Sequence, residues 1–182
     1  MILIAWNTIC SDCNGRTILK KAEEQEGKYE WGYAAKSYEK TLRSKSMTGS
    51  LAAATWEKIG FCYSLASRQT EDLREFKKLR QLAMQAYRNA ADLFEKEDNP
   101  QSQGKGAQCN AIAEYVRSWL VSSPLEKRKA LDQCRILGKK SLEAYEDAGD
   151  ELSYGKMCND LLLCLLECLN VHQTRQKCKT SL

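Results

Sequence analysis

A chain of 182 residues with 43% apolar and 29% charged side chains has the length of one domain, with enough apolar material for a core beneath a charged surface. Its formal charge of +4 is spread through interleaved Lys, Arg, Asp and Glu, which argues against a polyanion-binding tail, and no run of about twenty apolar residues is present to span a bilayer. Nine cysteines, odd in number and irregular in spacing, fit the reduced thiols of a cytoplasmic protein better than a disulfide framework.

Residues 1–15 open with Met1-Ile2-Leu3-Ile4-Ala5-Trp6, an apolar run with no basic lead and no small-residue cleavage pattern, so a signal peptide is not expected. The segment reads as a cover for the exposed end of a first helix pair, with a plug for a partner's groove as the alternative. A single helical domain is expected over residues 16–172. Its first helix runs from about Arg16 to Glu26 and stops at Gly27, where a missing side chain permits a left-handed turn. The second runs from about Tyr29 to Ser44.

The third helix, about Ser50 to Arg68, carries Leu51, Thr55, Ile59, Cys62 and Ala66 at three- and four-residue spacing as its inward stripe. The fourth, about Glu71 to Lys96, repeats that rhythm through Phe76, Leu79, Ala83, Ala86, Tyr87, Ala90, Leu93 and Phe94 until Asn99-Pro100 breaks it. After a polar link, Gln101 to Gly106, a fifth helix from about Ala107 to Val121 turns Ala111, Ile112, Tyr115, Val116 and Trp119 inward. Ser123-Pro124-Leu125-Glu126 then offers a hydroxyl cap, a first-position proline and a glutamate three residues after the cap.

The sixth helix should extend from there to about Ala148, burying Leu131, Cys134, Leu137, Ser141, Tyr145 and Ala148. Gly149-Asp150 ends it and caps a seventh, Glu151 to about Val171, whose segment Leu161 to Leu169 is apolar nearly all round and is expected to be enclosed. Residues 173–182 read as a polar tail. Short links fold such helices back on one another, so the expected class is all-α: about seven antiparallel helices in stacked hairpins.

The third helix holds Trp56-Glu57-Lys58-Ile59-Gly60-Phe61-Cys62-Tyr63, which is Trp, two residues, an aliphatic, Gly, two residues, Tyr. That run resembles the tetratricopeptide repeat, in which the glycine lets a paired helix come close. Ala83, Tyr87 and Ala90, and earlier Ala34, Tyr38 and Thr41, echo the second half of the pattern. Pair starts near residues 16 and 50 match the family period of about 34 residues; the later starts near 103 and 150 are longer, as in the soluble vesicle-fusion attachment proteins to which the chain is also similar. About eleven extra residues precede Ala83, and the third pair lacks the Trp-Gly-Tyr run.

The resemblance implies a non-catalytic module whose first helices line a concave surface that holds a peptide or partner subunit. Carried onto matching positions, its contact residues are Thr17, Lys21 and Glu24, then Ala54, Glu57, Phe61 and Ser64. By a looser register they continue with Asn110, Glu114 and Arg117, and with Lys156 and Asn159. Phe61 is the anchor among them or else packs on a neighbouring helix. The Lys and Asn clamp by which some members hold acidic chaperone tails is absent, since Glu57 and Phe61 occupy its third-helix positions.

Catalytic chemistry finds little footing. His172 is the one histidine, which leaves no partner for a His-based triad. Gln103-Gly104-Lys105-Gly106 lacks the upstream glycine and the following Ser or Thr of a phosphate loop. Cys164, Cys168 and His172 share a helix face, and Cys10 and Cys13 form a ligand-like pair; a zinc site joining them is one reading and buried packing the expected one, so no cofactor is assigned. Arg128, Arg135 and Lys139 form a basic stripe that suits either a solvated helix face or a phosphate backbone. A basic accessory subunit of a nucleic-acid machine is thus the alternative to an adaptor.

Overall fold

Seven helices and no strand occur among the described residues. The computed structural model describes the backbone of residues 2–43, 47 and 49–180, and the side chains of residues 15–43, 47, 49–162 and 164–166. The helices are α1 (Ile2–Gly27), α2 (Trp31–Thr41), α3 (Gly49–Arg68), α4 (Leu73–Phe94), α5 (Pro100–Ser118), α6 (Pro124–Ala148) and α7 (Glu151–Thr180). None among the described residues is long and apolar enough to cross a membrane. The chain clusters into two compact units, Met1–Leu93 and Phe94–Leu182.

Three element boundaries differ from expectation for identifiable reasons. α1 begins at Ile2, so the segment expected to precede it is its own first half; Gly15 interrupts nothing, since a lone glycine costs a helix only about 1 kcal/mol. α5 begins at Pro100, with Asn99 Oδ1 accepting the Ser102 N–H at 2.8 Å, and the expected link 101–106 is helical. Gly104 serves close packing rather than a turn, and Gly106 is buried within the helix. α7 continues to Thr180 because residues 172–180 contain neither Pro nor Gly to stop it.

Helix ends show where backbone groups are satisfied. Ser123 provides no side-chain cap to α6, contrary to expectation, and only its carbonyl accepts the Lys127 N–H at 2.9 Å. Asp150 caps α7 instead, its carboxylate accepting from the Ser153 N–H at 3.0 Å. Gly149 ends α6 in the left-handed region, φ 66, with its N–H on Glu146 O and the Asp150 N–H on Tyr145 O. α1 ends on the same double bond: the Tyr29 N–H reaches Glu26 O at 3.0 Å and the Glu30 N–H reaches Gln25 O at 2.9 Å. There the left-handed residue is Tyr29, φ 61, and not Gly27.

Within the first unit α2 packs on α1 and on α3, and the Tyr87 ring of α4 lies against Gly60 of α3. A Cβ on Gly60 would come within 2.9 Å of that ring, so glycine is what allows the helices to meet. The core here is rich in small residues, Ala22, Ala34, Ala35, Ala53, Ala83, Ala86, Ala90 and Ala91, which fit around Tyr38, Ile59, Cys62, Tyr63 and Tyr87. Trp56 is half-buried and Tyr63 is buried.

The second unit uses the same device without the Trp-Gly-Tyr run. Gly104 of α5 lies under the Tyr145 ring of α6, where a Cβ would stand 2.8 Å from ring carbons, and Ser141 Oγ donates to Gly104 O at 2.8 Å. α6 in turn packs on α7 around Leu131, Cys134, Met157, Leu161 and Cys164. Several residues expected inside are not: Leu51, Trp119 and Ala148 are exposed, and so are Leu162, Leu165 and Leu166 on α7. An all-round apolar pattern says that a helix tolerates enclosure; it does not supply the neighbours.

Candidate functional site at an aromatic corner

The turn between α1 and α2 brings three rings together at the surface. Trp31 opens α2 and stands edge to face with Tyr29 on one side and with Phe61 of α3 on the other, each pair with centroids 5.7 Å apart and planes crossed at 75° and 86°. Tyr29 is 70% exposed, Tyr33 66% and Phe61 43%. Trp31, at the centre, is half-buried, so the cluster meets solvent mainly through Tyr29 and Phe61.

Tyr29 holds its position against a backbone preference. A left-handed conformation costs a residue with a Cβ roughly 1–2 kcal/mol, which Gly149 avoids in the equivalent turn at the end of α6. Gln69, just past α3, donates its side-chain amide to Tyr29 O at 3.2 Å and ties the strained turn to the α3–α4 corner. Lys28, Glu30 and Arg68 are exposed, and Glu57 lies one helical turn before Phe61, so both signs of charge occur among the residues neighbouring the rings in the chain.

Beneath the corner a polar seam joins three helices. Glu26 of α1 accepts from the Tyr38 hydroxyl at 2.6 Å and from Lys58 Nζ at 2.9 Å, and Lys58 also lies over the Tyr38 ring. Ser37 Oγ donates to Gln25 at 2.6 Å and the Tyr63 hydroxyl to Glu39 at 2.9 Å. Burial, then the bond to Glu26, pushes the Tyr38 phenol up; burial, then the bond to Glu39, does the same to Tyr63. Burial first, and Glu26 second, push the Cys62 thiol up to about 12, with Lys58 opposing. At neutral pH these groups are protonated donors, a scaffold with no activated nucleophile among them.

The second unit has a counterpart of different charge. Tyr145 donates to Gln108 Oε1 at 2.6 Å, and the Gln108 amide donates onward to Asp160 Oδ2 at 3.2 Å, linking α6, α5 and α7. Burial raises the Asp160 carboxyl, and the Gln108 bond only partly opposes it.

The residues nominated from the sequence fall in both units. In the first, Thr17, Lys21 and Glu24 are exposed on α1, Ala54 and Glu57 are half-buried on α3, and Phe61 packs on Trp31 while keeping an open face. The Ser64 hydroxyl is buried without a hydrogen-bond partner among the described residues. In the second, Asn110 donates to Glu95 at 3.0 Å and Arg117 Nε to Glu114 at 2.6 Å; Lys156 and Asn159 are exposed on α7.

On the basic stripe, Arg128 is 3.8 Å from Asp132, Arg135 is half-buried and Lys139 is exposed. Cys164 is enclosed, its thiol donating to Leu131 O at 3.4 Å. The side chains of Cys10, Cys13, Cys168 and His172 lie outside the described residues.

Sequence reasoning named Phe61 but missed Tyr29, Trp31 and Tyr33. The available signal was three aromatics in five residues, at two-residue spacing, on a helix boundary, a period that no helical core uses. Comparison with known protein families, curated proteins and solved structures finds no match to this chain.

Proposed function

We propose that the chain is a non-catalytic binding module of tetratricopeptide-like hairpins, which holds a peptide or a partner subunit on its first unit. The observation that carries this reading is the solvent-facing ring cluster Tyr29–Trp31–Phe61, held by a strained turn where glycine would serve the fold better. The close approaches at Gly60–Tyr87 and Gly104–Tyr145 support the repeat-like reading of the hairpins. The buried thiol and phenols beneath the rings support a role without covalent chemistry. On this reading the protein works in the reducing cytoplasm, which suits five described cysteines that are all free thiols.

The test is quantitative co-purification from the native source with the intact chain, with Phe61→Ala plus Lys21→Glu, and with Arg128→Glu plus Lys139→Glu as a control on the other unit. Partners lost with the first variant and kept with the control are expected. Equal recovery with all three contradicts the assignment, and loss confined to the second variant moves the site to the basic stripe of α6.

A further inference from the structure

Gly60, Gly104 and Gly138 each lie where another side chain presses on a helix: the Tyr87 ring, the Tyr145 ring, and Leu161 with Met157. Gly155 sits inside α7 in the same way, yet a Cβ built on it meets nothing within 4 Å. While Met157, Leu161 and Cys164 of α7 face the α6 joint, Gly155 shares the opposite face with Leu152, Asn159, Leu162 and Leu166. All five are exposed, and Leu162 and Leu166 still show 55% and 49% of their surface. Their spacing runs three, four, three, four, and no charged residue falls in the row. That is the seam along which a second helix packs, and a glycine in it lets the second backbone come close.

We propose that this row is the seam of a two-fold dimer, in which α7 pairs antiparallel with α7 of a second copy of the chain. It concerns the second unit and does not depend on the binding reading of the first. Leucines alone would accept any apolar helix; the charged ends of α7 select the partner. Asp147, Asp150 and Glu151 gather where α7 begins, and the sequence of its last turns carries Arg175, Lys177 and Lys179. A parallel copy would set acid beside acid and base beside base. A reversed copy sets each acidic end beside a basic one and aligns the helix dipoles favourably. With the two-fold axis at residue 164, Leu162 of one copy is level with Leu166 of the other, and Glu151 with Lys177. One self-complementary helix then makes every contact twice.

Sedimentation velocity of the full chain over a dilution series tests this. A monomer–dimer equilibrium is expected, weakened about ten-fold or more by Leu162→Glu plus Leu166→Glu. Both side chains are exposed within one copy, so helical circular dichroism should stay unchanged in that variant. Glu151→Lys alone should weaken the dimer, and adding Lys177→Glu should restore it, a rescue that requires the antiparallel pairing. The inference is overturned if the chain stays monomeric at every concentration, if the dimer survives the leucine substitutions, or if the second charge change gives no rescue.

Discussion

The two units solve the same structural problems with different residues. Each meets a tyrosine ring with a glycine, Gly60 with Tyr87 and Gly104 with Tyr145, and each ends a helix on the same doubly bonded left-handed turn. In the second unit that turn is Gly149, the residue that backbone sterics favour; in the first it is Tyr29. The polar seams differ in the same sense. Glu26 is paired with Lys58, whereas the Asp160 carboxylate accepts from the Gln108 amide and carries a raised pKa. The strained turn of the first unit lies at its surface beside the rings, and the raised carboxyl of the second is partly buried between helices.

The largest effects should come from the shared device. Gly60→Ala and Gly104→Ala each drive a methyl into an aromatic ring, and overpacking of this kind costs about 1–3 kcal/mol. Chemical denaturation should show a loss in this range for Gly104→Ala, where the Tyr145 hydroxyl bond to Gln108 helps hold the ring in place. Next, Gly149→Ala should cost about 1 kcal/mol, because a Cβ meets nothing there and only the left-handed backbone objects.

The pH dependence separates the seams. Asp160 has a folded pKa above its ordinary 3.8, so its contribution is fully present below that value and is lost as pH rises through the folded one. Asp160→Asn keeps the acceptor and removes the charge; it should raise the thermal midpoint at neutral pH, with the gain vanishing as pH falls towards 3.8. The first unit has its window at the other end. Cys62 rises from 9.0 to about 12, and Tyr38 and Tyr63 rise from 10.0, so stability present below pH 9 should decline as pH climbs above it. Amide exchange followed over pH should show the second unit responding on the acid side and the first on the alkaline side; a common window for both would break the contrast.

Much of this was legible from residue order. Apolar residues at three- and four-residue steps located all seven helices, and Gly60 was assigned its close approach before any contact was visible. Other residues misled for physical reasons. Gly104 and Gly106 read as a link because glycine serves both turns and tight packing, and at Gly104 only the Tyr145 ring decides which. Gly27 was the obvious left-handed stop, yet the turn falls two residues later on a tyrosine, a choice that conformational preference argues against. The corner was half visible: Phe61 was nominated from helix register, while Tyr29 and Trp31 join it only when α2 folds back across α3.

One variant brings structure and use into direct opposition. Tyr29→Gly should relieve the left-handed strain and raise stability by about 0.5–1 kcal/mol, while removing a ring from the corner. Measured on the same preparation, thermal midpoint and partner recovery should move in opposite directions, the first up and the second down. A higher midpoint with undiminished binding would show that the ring serves no partner, and a lower midpoint would show that the turn was never strained.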